Sequence, residues 1–286
     1  MTIKPPLITA AALAKRLEGG TPTVLIDASF DLADPAAGER SYRDAHLPGA
    51  HYLHLDRDLA DHAAASDGRF RGRHPLPTRE AFAATLGYLG ITPASSVVVY
   101  DRQGSMYAAR AWWMLLWLGH RDVAVLDGGL AAWVAAGNAV SRDVPAPPDG
   151  PGYPSSAALV GSIGADALQA ALGRVRLIDA RAAERFRGDV EPLDPVAGHI
   201  PGALNRPFKD NLDAQGLFLD AAALRSAFAP VLAGHAPSKV VHQCGSGVTA
   251  CHNLLAMEAA GLSGSVLYPG SWSEWCGDAA RPVARG

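Results

Sequence analysis

A chain of 286 residues is about twice the usual size of one domain, so two domains are expected. With 49% hydrophobic residues, 19% charged residues and a net charge of −3, the composition argues against disorder, nucleic-acid binding and a basic membrane-binding face. Three cysteines suit a reducing cytoplasm better than a disulfide framework. No apolar run reaches the ~18 residues needed to span a bilayer, and the stretch from Met1 to Pro6 lacks the pattern of a secretion signal. A cytoplasmic location is therefore expected, and nothing demands more than a monomer.

In chain order, Val24-Leu25-Ile26-Asp27 is the first apolar β-rich run, followed by the turn sequence His46-Leu47-Pro48-Gly49-Ala50. Val97 to Tyr100 is continuously apolar, as in a strand covered on both faces, and Asp101 follows it. Tyr107 to Leu118 has helical length and carries Trp112, Trp113 and Trp117, which suit packing better than ligand stacking. Val123 to Leu126 reads as another buried strand, ended by Gly128-Gly129. The Pro-rich segment 144–160 blocks helix and central strand, and reads as an extended surface linker.

Beyond the linker the same segments return in the same order. Leu177-Ile178-Asp179 repeats Leu25-Ile26-Asp27, and His199-Ile200-Pro201-Gly202-Ala203 repeats the Pro-Gly turn. Val240 to Cys244 repeats Val97 to Asp101, and Leu267 through Trp275 repeats Leu126 through Trp133. One duplicated domain accounts for this, with expected boundaries of 1–143, a linker at 144–160, and 161–286. Strand–helix alternation in each half predicts an α/β fold with a mainly parallel sheet flanked by helices on both faces. His46 and His199 recur in both halves, which suits local hydrogen bonding at the turn.

Cys244 stands where an apolar run passes through Gly245-Ser246-Gly247 into a helical pattern beginning at Val248 to Ala250. Backbone N–H groups at such a corner, with the helix dipole, favour a thiolate, which is a strong sulfur nucleophile. Gly245 and Gly247 are expected to permit the backbone angles of an amide cradle. Cys251 lies in an apolar helix and reads as buried, and Cys276 reads as a surface thiol. No C-x-x-C pair is present, so no metal and no cofactor are expected. A cysteine-dependent phosphatase would need Arg at the sixth position after the Cys, where Ala250 stands.

The loop Cys244-Gly245-Ser246-Gly247-Val248-Thr249-Ala250 is flanked by Gly198-His199-Ile200-Pro201-Gly202-Ala203 and Gly270-Ser271-Trp272-Ser273-Glu274-Trp275. Together they resemble the tandem two-domain form of the rhodanese superfamily, closest to its 3-mercaptopyruvate sulfurtransferases. The resemblance implies two tandem rhodanese-like domains, the first non-catalytic with Asp101 in place of the Cys. It implies a Cys244 persulfide formed from 3-mercaptopyruvate with release of pyruvate; the alternative donor is thiosulfate, and a non-catalytic sulfur-carrier module is the third reading. It further implies a catalytic set of Ser246, His74 and Asp56, with Arg185 as the carboxylate-binding residue. Gly245, Gly247, Val248 and Thr249 would cradle the sulfur. Thioredoxin, a small thiol and cyanide are open as acceptors. In one departure, Glu191-Pro192-Leu193-Asp194 carries Leu193 where the family usually has a second Arg, leaving Arg187 or Arg102 to compensate.

Overall fold

The computed structural model describes residues 5–63, 68–148, 150 and 152–286. The chain divides into two compact units. The first comprises the chain up to Asp61 with Pro77–Leu159 and Ala214–Leu217; the second comprises His62–Leu76, Val160–Asp213 and Phe218–Gly286.

The first unit runs β1 (Leu7–Ile8), α1 (Ala10–Glu18), β2 (Thr23–Asp27), α2 (Ala37–Asp44), β3 (His51–Tyr52), α3 (Leu55–Asp58), α4 (Arg79–Tyr88), β4 (Ser96–Tyr100), α5 (Ala108–Trp117), β5 (Val123–Leu126) and α6 (Gly129–Ala135). The second runs β6 (Gly161–Ser162), α7 (Ala165–Ala171), β7 (Arg176–Asp179), α8 (Ala183–Arg187), β8 (Leu204–Asn205), α9 (Ala221–Leu232), β9 (Val240–Gln243), α10 (Thr249–Ala259), β10 (Val266–Leu267) and α11 (Ser271–Cys276). Each sheet has five parallel strands, ordered β1-β5-β4-β2-β3 in one and β6-β10-β9-β7-β8 in the other. The two orders are the same order, and helices flank both sheets, as the alternating sequence pattern predicts. No helix among the described residues is long and apolar enough to cross a membrane.

Burial explains the central strands. Every residue of β4 and of β9 is buried, as expected of central strands covered on both faces, and β9 carries the polar His242 and Gln243 inside. Trp112 and Trp113 are buried on α5, which matches the packing expected of the tryptophans there. His46 Nδ1 lies 2.7 Å from the Tyr42 carbonyl and His199 Nδ1 lies 2.8 Å from that of Phe186. Each ring also stacks on that aromatic, so both histidines hold the Pro-Gly turn in the way expected of them. Part of the Pro-rich segment is packed rather than free. Tyr153 is buried with its hydroxyl 3.1 Å from His120 Nδ1, and the Ser156 and Leu159 amides donate to carbonyls of Leu118 and Leu116.

Cys276 corrects the sequence expectation: it is buried in the core of the second unit with Trp272 and Trp275, and burial pushes its thiol up to about 11. Its place on α11, one turn past Trp272, turns it inward.

His242 is wholly buried on β9. Its Nε2 lies 3.0 Å from Met257 Sδ, and its Nδ1 has no partner among the described residues. Burial, aided by the Arg206 charge, pushes its pKa down to about 3. An unfolded chain takes up this proton near pH ~6.5 and the folded one does not. The stability His242 contributes as a neutral ring is therefore complete above ~6.5 and is lost as pH falls toward 3. The slope is at most ~1.4 kcal/mol per pH unit. Urea unfolding across this window should show a shallower acid limb for His242→Leu than for the wild type.

Candidate active site

Cys244 is the first residue beyond β9, at the carboxyl end of a central parallel strand, where sheets of this kind bind ligands. It is buried. Ser271 Oγ accepts the Cys244 amide at 3.0 Å, while the amides of Trp272 and Ser273 donate to the carbonyls of Cys244 and Gly245 at 3.0 and 2.9 Å. Gly247 has φ of 76°, and a Cβ there would sit 2.2 Å from the Pro269 carbonyl oxygen, so only glycine fits. Gly245 is different from expectation. Its φ is not in the left-handed region; its lack of a side chain instead makes room for two guanidinium groups. The helix begins at Thr249, after the loop residues Gly245 to Val248, all of them buried. Among the described residues, the amides of Gly245, Ser246, Val248 and Thr249 donate to no acceptor. Cys251 is buried on α10, with Sγ 3.4 Å from the Gly247 carbonyl.

The matching corner of the first unit is satisfied from within. Asp101 replaces the cysteine, and its carboxylate accepts the amides of Gln103, Ser105, Tyr107 and Ala108 at 2.8 to 2.9 Å. Burial pushes this carboxyl up, and the same four amides pull it down. A loop of this architecture thus closes on a carboxyl side chain where its first residue supplies one.

His74 Nδ1 lies 2.7 Å from Ser246 Oγ, and both side chains are buried. They belong to the second unit, because segment His62–Leu76 is part of it. Asp56 belongs to the first unit, in the first turn of α3, where its amide donates to His54 Nδ1 at 3.1 Å. A pair is therefore what the second unit itself assembles.

Arg185 projects from α8 and is held by Glu191, with Nη2 to Oε1 at 2.6 Å and Nε to Oε2 at 3.3 Å. Beside it stands Arg73, which the sequence reading passed over and which is paired with Asp194. Burial pushes the Asp194 carboxyl up, against the downward pull of Arg73 and Arg185. A Cβ built on Gly245 would lie 2.9 Å from Arg73 Nη2 and 3.6 Å from Arg185 Nη1. Neither nitrogen has an acceptor among the described residues. Two cationic donors thus face the residue after Cys244. The one available signal was proximity: Arg73 directly precedes His74.

Both residues named as substitutes for the missing second Arg are already paired with carboxylates. Arg187 pairs with exposed Asp189 at 2.8 Å. Arg102 lies in the first unit, where Nη1 meets Asp27 Oδ2 at 2.7 Å. Leu193 is an exposed residue whose amide donates to Glu191 Oε1 at 3.1 Å.

The Rhodanese-like domain family matches residues 9–136 and 164–278. The chain belongs to this family, in two tandem copies. The probable 3-mercaptopyruvate sulfurtransferase of Pseudomonas aeruginosa is 49% identical over 98% of this chain and 98% of its own length. The putative thiosulfate sulfurtransferase SseB of Mycobacterium tuberculosis is 42% identical over 98% of this chain and 97% of that protein. Among solved structures, 3-mercaptopyruvate sulfurtransferase from Leishmania major superposes with a TM-score of 0.85 at 28% identity, covering 99% of this chain and 78% of that one. This rhodanese-like protein is accordingly an enzyme of the sulfurtransferase class.

Its two loop glycines should respond differently to alanine. Gly247→Ala meets a backbone oxygen and a left-handed φ, so it should lose more than ~1 kcal/mol of stability in urea unfolding. Gly245→Ala meets the movable end of Arg73. It should stay within ~0.5 kcal/mol of wild type while raising KM for an anionic sulfur donor.

Proposed function

We propose that this sulfurtransferase takes sulfur from 3-mercaptopyruvate through a Cys244 persulfide and releases pyruvate. The observation that carries the reading is the set of unpartnered donors at the Cys244 loop. Four buried or part-buried amides lie in residues 245–249, and two guanidinium nitrogens stand at Gly245. Buried donors without acceptors are costly unless a ligand completes them. The amides suit a sulfur anion on Cys244, and the paired guanidiniums suit a carboxylate.

In the first step Cys244 Sγ, as the thiolate, attacks the donor sulfur. The S–S bond forms, the carbon–sulfur bond breaks, and its electron pair passes to the carbon as the enolate of pyruvate. The enolate then takes a proton, supplied by way of the hydrogen-bonded Ser246 and His74, and pyruvate leaves. In the second step an acceptor thiolate attacks the outer sulfur and returns Cys244 as thiolate, a ping-pong cycle. A small thiol, thioredoxin or cyanide can fill the acceptor role chemically.

The relative named for thiosulfate keeps a second donor in view, and a sulfonate head would also fit between Arg73 and Arg185. Steady-state comparison separates the two. A higher kcat/KM for 3-mercaptopyruvate than for thiosulfate is expected, and the reverse order overturns the donor assignment. Intact-mass spectrometry after donor addition should find one extra sulfur on Cys244, and Cys244→Ser should neither gain it nor turn over.

Arg73→Leu and Arg185→Leu should each raise KM for 3-mercaptopyruvate by ~10–100-fold with kcat little changed, the loss of one charged hydrogen bond. Ser246→Ala and His74→Ala should each lower kcat by about a hundredfold. Because the two side chains act as one hydrogen-bonded unit, the double variant should fall no further than the worse single one.

A further inference from the structure

Ser271 opens α11 with φ of 53°, in the left-handed region that residues with a Cβ rarely enter. Gly129 is its counterpart, opening α6 with φ of 55°. Hydrogen bonds establish the match: the next amide donates to the residue beyond the central strand in both units. Leu130 reaches the Asp101 carbonyl at 3.2 Å, and Trp272 reaches that of Cys244 at 3.0 Å. A Cβ on Gly129 would fall 2.1 Å from the Asp101 carbonyl oxygen. The backbone at this corner therefore calls for glycine. Yet the unit that carries Cys244 has a wholly buried serine there.

The hydroxyl explains the exchange. Ser271 Oγ accepts the Cys244 amide at 3.0 Å and donates to the Tyr268 carbonyl at 2.9 Å. With the Trp272 and Ser273 amides on the carbonyls of Cys244 and Gly245, both peptide groups bonded to the Cys244 Cα are tied to one short segment. In the first unit, the Asp101 amide has no such partner among the described residues. The added hydrogen bond thus accompanies the cysteine and is missing where the cysteine is missing.

We propose that Ser271 is a positioning residue for Cys244, a serine held in a glycine conformation because its hydroxyl sets the peptide plane before the nucleophile. That plane governs φ of Cys244 and so the direction of its Cα–Cβ bond. Displacement at sulfur needs the attacking sulfur, the donor sulfur and the leaving carbon nearly in line, and rate falls steeply with misdirection. The carboxylate grip of Arg73 and Arg185 does not pass through Ser271, so binding is spared. This inference rests on the reading of Cys244 as the nucleophile.

The test is single-turnover persulfidation by 3-mercaptopyruvate, followed by intact mass, in wild type, Ser271→Gly and Ser271→Ala, alongside steady-state kinetics and thermal melting. Ser271→Gly removes the hydroxyl and also the conformational strain, so it should melt at or above Ser271→Ala. Both variants should form the persulfide about tenfold more slowly, with donor KM within about twofold of wild type. A Ser271→Gly protein that reacts at the wild-type rate overturns the proposal alone. So does activity that recovers from Ala to Gly in step with melting temperature, which would mark a purely structural role. Wild-type protein that gains no sulfur overturns the nucleophile reading and this proposal with it.

Discussion

Backbone amides at a buried strand-to-helix corner need acceptors, and this need organises both halves of the molecule. Where the first loop residue is Asp101, its own carboxylate takes four amides and closes the corner. Where it is Cys244, the side chain is short and a thiol sulfur is a weak acceptor. The amides of Gly245, Ser246, Val248 and Thr249 then have no acceptor among the described residues. One loop is complete as folded. The other keeps four amide donors without acceptors among the described residues.

Duplication makes the comparison internal to one chain. The two sheets share one strand order, yet equivalent jobs pass to different residues. In the second unit, Arg181 donates to Asp179 at 2.7 Å and to the Gly198 carbonyl at 2.7 Å. In the first, Ser29 occupies the matching sequence position, and Arg102 reaches in from beyond β4 to bind Asp27 and the Ala45 carbonyl. A guanidinium bridges the same carboxylate and turn in both units, supplied from different points along the chain. A buried carboxylate needs a paired cation or several hydrogen-bond donors, and for Asp27 and Asp179 the fold accepts the cation from whichever neighbour can deliver it.

Much of the fold was legible because it depends on local pattern. Val97 to Tyr100 and Val123 to Leu126 read as buried strands, and the structure has strands at Ser96–Tyr100 and Val123–Leu126. The Cys244 loop read as a strand–helix corner for the same reason, and Gly247 indeed has a left-handed φ. Other features were out of reach. Arg73 and Arg185 lie far apart in sequence, and only chain folding brings both to Gly245. Leu193 carries no charge, and the guanidinium that stands with Arg185 at Gly245 belongs to Arg73, 120 residues before Leu193 in the chain. Cys276 was misread because a short terminal helix carries little periodicity, and the burial of α11 is set by packing around Trp272 and Trp275.

By itself, the sequence determined the duplicated α/β architecture, the position of a cysteine at the end of a central strand, and the absence of that cysteine from the first half. These follow from hydrophobic period, turn chemistry and residue identity, all of which are local. Tertiary structure alone decided which donors remain unsatisfied around Cys244, that His74 and Ser246 meet at 2.7 Å, and that a serine occupies a glycine conformation at position 271. Those are properties of hydrogen bonds between residues far apart in the chain. Such bonds depend on distances that no local pattern encodes.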